Sequence, residues 1–170
     1  MADPDGLERL WAPYRMAYVR EAGDAAAKPG CPFCAMVAGE QQTDLIVASG
    51  EHCFVAMNLF PYNPGHLMVL PNRHESDFAA LTHAESSELT SFTQQAIRAI
   101  REVSNPHGFN VGLNLGEVAG GSISAHLHQH IVPRWGGDAN FMTVVGRTKT
   151  LPQTIAESAD LLREVWDKVN

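Results

Sequence analysis

His126-Leu127-His128-Gln129-His130-Ile131-Val132 is the stretch on which the reading of this chain turns. Side chains on a strand alternate between faces, so a strand over His126–Val132 sends all three imidazoles to one side. Leu127 and Ile131 then point to the other side, into a core. Pro133 is expected to close the strand, because it has no amide hydrogen to give. Imidazoles exchange protons near neutral pH, act as nucleophiles and bind metals. The chain holds only eight histidines, so three at alternate positions of one element point to a task rather than to chance. Five residues upstream of His126, Gly121 sits in Gly120-Gly121-Ser122, a stretch that can bring backbone N–H groups close to an anion. Alone it would mean a turn; before a histidine strand it reads as a phosphate cradle.

The surrounding chain supplies the rest of a sheet. Phe109–Leu113 is expected to be a strand, followed by a glycine-bearing loop over Asn114–Ala125. Further upstream, Thr82-His83-Ala84-Glu85 is a capping box with Thr82 as N-cap. Leu89, Phe92, Ala96, Ile100 and Val103 recur behind it at helical spacing, and Asn105-Pro106 stops the helix. His66–Leu70 is an apolar run stopped by Pro71, hence a buried strand. Leu45–Ala48 and Cys53–Met57 form two more strands around a turn at Ser49-Gly50-Glu51. Asn58–Gly65 is a loop, with two prolines and a glycine. Cys31-Pro32-Phe33-Cys34 opens a short helix ending near Gly39, and 23–30 is a loop. Leu7, Leu10, Trp11, Tyr14 and Tyr18 make a helical stripe broken by Pro13. Leu151-Pro152 is expected to start a last helix, with Ile155, Ala159, Leu162, Trp166 and Val169 on one side. Strands fall on either side of one long helix and do not alternate βαβα, so the fold class is α+β with a mostly antiparallel sheet.

Bulk properties bound the function. A chain of 170 residues can bury one proper core, and 45% hydrophobic with 18% charged residues is ordinary for a globular protein. No apolar run is long enough to span a membrane, and Met1–Leu10 is too acidic and polar for a secretory signal, so the expected address is the cytoplasm. Twelve basic against nineteen acidic residues give a net charge of −7, which argues against nucleic-acid backbones as partners. A small anion is still compatible, because N–H groups and imidazoles can hold phosphate against an acidic average. In a reducing compartment Cys31 and Cys34 suggest metal or redox chemistry rather than a structural disulfide.

His126-Leu127-His128-Gln129-His130-Ile131-Val132 resembles the signature of the histidine-triad (HIT) superfamily, His-φ-His-φ-His-φ-φ with φ apolar. Gln129 departs from it by being polar. Phe54–Leu70 resembles the strand–loop–strand that holds the nucleoside in that family. From Leu10 to Phe141 the chain resembles actinobacterial members described as diadenosine tetraphosphate phosphorylases, through PYRMAY, NLFPYNPGHLMV, PHGFNVGLNLG and HIVPRWGGDANF. The resemblance implies one HIT-like domain over 1–170, with an N-terminal extension at 1–43, a core at 44–135 and a C-terminal segment and helix at 136–170. It also implies a homodimer.

The resemblance assigns roles. His128 attacks the α-phosphorus and carries the nucleotide; phosphate or water then resolves the intermediate, giving a diphosphate or a monophosphate. Imidazole suits this, being both a good nucleophile and a good leaving group at neutral pH. His130 faces the same phosphate, and His66 supports the nucleophile. Asn58 holds the ribose hydroxyls, while Asn114, Gly121 and Ser122 contact phosphate and leaving group. On their own, Asn58 and Asn114 would be read as loop-turn residues. Trp135 stands where relatives use an aromatic near the base or at the dimer surface; simple packing accounts for it equally well. Cys31-x-x-Cys34 is half of a metal site, which the resemblance completes with His74 and His126 as a closed, structural zinc site. A redox pair is disfavoured, since no thioredoxin-like βαβ unit surrounds it, and no organic cofactor is implied. Cys53 reads as a small core residue, and His52, His83 and His107 as surface or turn residues.

Other functions remain open on the sequence. A nucleoside phosphoramidate hydrolase would use the same intermediate. A slow nucleotide-binding regulatory protein would keep the pocket; intact His128 disfavours it. A uridylyltransferase is weaker, because that branch has glutamine where this chain has His130. A zinc hydrolase with its metal on His126, His128 and His130 strains the geometry, since alternate strand residues lie about 7 Å apart, and it leaves the cysteines unexplained.

Overall fold

Cys53–Met57 and Leu67–Pro71, buried at every position, form the centre of the sheet as β2 and β3. Strands covered on both faces carry such continuous apolar runs. The computed structural model describes residues 30–119, 123–138, 145–146 and 151–169. The stripe over Leu7–Tyr18 and the Gly120-Gly121-Ser122 cradle therefore lie outside the described residues. β1 (Ile46–Ser49), β4 (Gly108–Leu113) and β5 (Gln129–Arg134) complete an antiparallel sheet in the order β1-β2-β3-β5-β4. The strand last in sequence thus inserts between β3 and β4. The expected α+β class with an antiparallel sheet is what the chain adopts.

The histidine strand begins later than expected. Pairing with β3 runs from Leu67↔Ile131 to Val69↔Gln129, which leaves His126 and His128 in the approach to β5. The register explains this. Two steps back would set Leu127 opposite Pro71, which has no N–H, and Leu127 N instead donates to Glu75 O at 2.6 Å. Nor does the strand close at Pro133: it continues to Arg134, paired with Gly108 of β4. β3 pairs with β5 only up to Ile131, so Pro133 meets an open side, where a missing donor costs little.

Among the described residues, three α-helices cover this frame. α1 (Pro32–Val37) has proline in its first turn, and Gly39 follows it at φ +76°. α2 (His83–Ser104) has the expected capping box, with the Thr82 hydroxyl accepting from Glu85 N and the Glu85 carboxylate accepting from Thr82 N; Asn105 ends it in the left-handed region. α3 (Ile155–Trp166) starts four residues later than Leu151-Pro152 suggested. A second capping box, Thr154 with Glu157, sets that start. Such a cap contributes about 1 kcal/mol and outweighs proline as a start signal. Phe92 and Trp166 meet edge to face where α2 and α3 pack. Gln129, the polar departure in the triad pattern, points at α2 and donates to Thr93 Oγ1 at 2.7 Å. With Gln129 turned to the helices, alternation sends His128 and His130 to the opposite face.

The β1–β2 turn is held by an acid from α2. The Glu88 carboxylate accepts from the backbone N–H groups of Glu51, His52 and Cys53 at 3.2, 2.6 and 2.6 Å. A Cβ at Gly50 would lie 2.6 Å from Glu88 Oε1 and 2.8 Å from Phe92 Cζ. The carboxylate cannot withdraw without releasing the turn. Gly50→Ala should therefore destabilise the fold by about 1–3 kcal/mol, read as a lower urea midpoint at unchanged slope. An unchanged midpoint would show that the carboxylate moves freely.

Candidate active site and metal centre

The protonation of each triad ring follows from its partners. A carbonyl only accepts, so His128 Nδ1, 2.8 Å from His126 O, carries the hydrogen. Burial pushes the pKa of His128 below its ordinary value, so the ring is neutral at pH 7 and Nε2 keeps a lone pair. Phe33 of α1 packs against this ring, centroids 5.3 Å apart, and against that of His126 at 5.5 Å.

The same reasoning runs through a second chain of contacts. Tyr62 N, a backbone donor, points at His66 Nδ1 from 3.0 Å. His66 therefore carries its hydrogen on Nε2 and gives it to His130 Nδ1, also at 3.0 Å. Neutral His130 is left with its hydrogen on Nε2. Burial, with a smaller contribution from His128, pushes the His130 pKa down to about 4. Its Nε2 is buried and has no partner among the described residues. The His128 and His130 rings meet edge-on, 4.9 Å between centroids. A lone pair on one ring and, on its neighbour, an N–H donor without a partner among the described residues thus sit on adjacent imidazoles.

His126 serves another centre. Its Nε2 donates to Pro71 O at 2.9 Å, which leaves the Nδ1 lone pair facing Cys31 Sγ at 3.3 Å and Cys34 Sγ at 3.6 Å. His74 Nδ1 lies 3.3 Å from Cys34 Sγ. The four donor atoms all fall within 4.8 Å of one another. Zinc bonds of the usual lengths to sulfur and nitrogen would set tetrahedral edges of about 3.6 Å, so the residues fit a small tetrahedral metal. A ligating histidine whose other nitrogen donates to a carbonyl is the usual outer-shell arrangement. A metal shared by His126, His128 and His130 does not fit, because both nitrogens of His126 are engaged elsewhere, Nε2 with Pro71 O and Nδ1 facing the two cysteines.

The remaining expected residues divide. Asn58 reaches the site: Oδ1 accepts from Phe60 N at 2.9 Å, and Nδ2 lies 3.4 Å from His66 Nδ1. Asn114 follows Leu113, the register partner of Gln129, at the triad end of β4. Gly121 and Ser122 lie outside the described residues. Trp135 sits beyond the other end of β5, its Nε1 donating to Ser104 O, on a cavity of about 490 Å³ shared with Ile100, Val103 and Leu162. That cavity holds none of the histidines, so volume alone does not mark the site.

Two contributors were not singled out in the sequence. Phe33 was visible only as the residue between two cysteines. Tyr62 supplies the N–H that fixes His66, and its ring packs on His66 at 4.8 Å. The tight PYNPGH loop was its signal. Asn63 pins this loop, donating to Pro133 O and to Asp138 Oδ2.

Residues 39–137 match the HIT domain, and the chain belongs to the HIT family. It is 52% identical over 167 residues to a Mycobacterium tuberculosis protein named AP-4-A phosphorylase, covering 95% of this chain and 86% of that one. A zinc-bound histidine triad family protein from Mycobacterium smegmatis superposes with a TM-score of 0.69 at 26% identity, covering 82% of this chain and 95% of the other. A uridylyltransferase shares the fold at TM-score 0.70 and 18% identity, over 94% of this chain and 52% of that one. Among the described residues no helix is long and apolar enough to cross a membrane.

The His130 environment sets a pH dependence. Between its ordinary value near 6.5 and about 4, the unfolded chain binds a proton that the folded chain refuses. Stability should therefore fall as pH drops from 6.5 to 4, by up to about 3 kcal/mol from this residue. Denaturant midpoints measured across that range should fall less steeply in His130→Gln than in the parent. Parallel curves would contradict the assignment.

Proposed function

We propose that this protein is a dinucleoside polyphosphate phosphorylase working through a nucleotidylated His128. One observation carries the reading: His126 O holds the Nδ1 hydrogen of His128, which leaves a neutral ring with its Nε2 lone pair available. Nε2 attacks the α-phosphorus of diadenosine tetraphosphate, the P–N bond forms, and the P–O bond to the remaining nucleotide breaks, releasing ATP. Inorganic phosphate then attacks the same phosphorus, the P–N bond breaks, and ADP leaves with the imidazole restored. His130 Nε2–H donates to a phosphate oxygen as charge builds there. His66 holds His130 in that tautomer. Asn58 takes the ribose hydroxyls, and Asn114, Gly121 and Ser122 the phosphates. The name carried by the M. tuberculosis relative supports phosphate over water as acceptor.

Zinc is the metal that two thiolates and two imidazoles favour, and the smegmatis relative is described as zinc-bound. Held by Cys31, Cys34, His74 and His126 Nδ1, it would leave no ligand position open, and so would anchor α1 to the approach to β5. Free cysteines at 31 and 34 fit a reducing compartment such as the cytoplasm. A symmetric dimer is also part of the proposal. β4 offers an open sheet edge with Val111 exposed; sedimentation would report the mass.

The deciding assay incubates the protein with diadenosine tetraphosphate, with and without inorganic phosphate, and separates the products by ion exchange. ADP and ATP formed only with phosphate is the expected outcome. AMP and ATP regardless of phosphate would replace phosphorylase with hydrolase. No turnover would move the proposal to adenosine phosphoramidates, and intact phosphoramidates would leave a nucleotide binder. His128→Asn should abolish turnover while nucleotide binding survives; full activity in this variant would sink the mechanism. Cys31→Ser should lower zinc content and thermal stability more than it lowers the rate of the protein that stays folded. Lost activity with zinc and stability intact would argue against a structural metal.

A further inference from the structure

His74 is the weakest point of the candidate metal set: it is exposed, and among the described residues its Nδ1 meets Cys34 Sγ alone. Its neighbours are tied down. Asn72 donates from Nδ2 to Gly50 O and Glu51 O, and its own N donates to His52 O at 2.7 Å. Arg73 spreads its guanidinium over four acceptor oxygens of three residues. Nε and NH2 take the two oxygens of Glu85 at 2.9 and 3.1 Å, NH1 takes Glu75 Oε2 at 2.7 Å, and NH2 also reaches Ala80 O. Glu85 is the buried acid of the α2 capping box, so Arg73 is fastened to a fixed point of the helix. Glu75 accepts from Ser76 N and Asp77 N, and its carbonyl takes Leu127 N, the residue after the ligand His126. One side chain thus joins the segment carrying His74 to the base of α2, and through Glu75 to the segment carrying His126.

We infer that Arg73, forked onto Glu85 and Glu75, is a positioning residue for the metal ligand His74 and sets the affinity of the site. This rests on the zinc reading above. Arg73 touches no metal donor, so its action is on the backbone geometry that delivers His74. Lysine keeps the charge but not the planar fork and cannot hold both carboxylates in the same way. Outer-shell partners of metal ligands are worth about 10–100-fold in affinity.

The test is zinc affinity measured against a chromogenic chelator, on parent, Arg73→Gln, Arg73→Lys and Leu162→Ala. The last is destabilised in α3, away from the site. Arg73→Gln should bind zinc ~10–100-fold more weakly, Arg73→Lys should fall between it and the parent, and Leu162→Ala should match the parent. Cobalt-substituted Arg73→Gln should also lose part of the tetrahedral visible band of the parent, since His74 no longer closes the shell. Should Arg73→Gln fail to fold, Arg73→Lys carries the comparison. Equal affinities in parent and folded Arg73 variants would overturn the inference, as would an equal loss in Leu162→Ala. A parent that binds no zinc would overturn the zinc reading itself and this inference with it.

Discussion

His126 is gripped from both sides, and the rest of the site follows from that grip. Its Nε2–H is spent on Pro71 O, so the ring cannot rotate away from the end of β3. Its Nδ1 lone pair is thereby aimed at Cys31 and Cys34, which brings α1 to the sheet and sets Phe33 against His128. Its carbonyl is left to take the Nδ1 hydrogen of His128. One residue thus holds the end of β3, lines up with the cysteine helix and fixes the tautomer of His128. Burying so many imidazoles is costly unless each nitrogen has a defined role. The Nδ1 atoms of His128 and His130 and both nitrogens of His66 and His126 are engaged, and His130 Nε2 is left buried without a partner among the described residues.

The polar chemistry on one face of β5 requires a sound apolar frame on the other. β2 and β3 give nothing but buried side chains, and Ile131 adds a fully buried anchor from β5. Each large aliphatic residue there contributes about 1.5–3 kcal/mol. Gln129 would be a defect in that frame if its amide were unpaired. Thr93 accepts from it, while the Thr93 hydroxyl donates to Leu89 O, so the polar position on the helix side is met by a polar position on α2. The clamp of Arg73 on Glu85 has a similar logic: Arg73 holds the Glu85 carboxyl down to about 2, and the buried acid of the cap stays ionised and paired.

How much of this was legible in the sequence depended on whether local signals acted alone. β2 matches its expected limits, because an apolar run between a turn and a proline-rich loop has one reading. The N-terminus of α2 was legible because Thr82 and Glu85 supply a cap that no distant residue contests. The start of β5 was not, because it is set by the lack of an N–H at Pro71, a residue 58 positions before Gln129 in sequence but adjacent in register. α3 begins later than Leu151-Pro152 suggests because the Thr154–Glu157 capping box, not the proline, sets its first turn. The metal quartet came from spacing together with family resemblance, since Cys31 and Cys34 say nothing of His74 without a fold. Phe33 and Tyr62 act through contacts that only folding makes, one from the cysteine helix and one through a backbone amide.

Alternation along a strand was the argument for putting three histidines on one side, yet two of the three precede the strand. The functional outcome survives because side chains, not backbone pairing, finish the job. His128 and His130 still share a face, held by a carbonyl and by His66, while His126 has turned to the metal donors. Under the proposed function, this division would also account for how an acidic chain receives a polyphosphate. No lysine or arginine among the described residues is hydrogen-bonded to the triad, and the groups presented are neutral: an imidazole lone pair and an imidazole N–H. A protonated His128 would attract the substrate more strongly but could not attack it. On the proposed mechanism, the burial that lowers its pKa would exchange long-range attraction for nucleophilicity, and would leave directional donors on neighbouring groups to hold the anion.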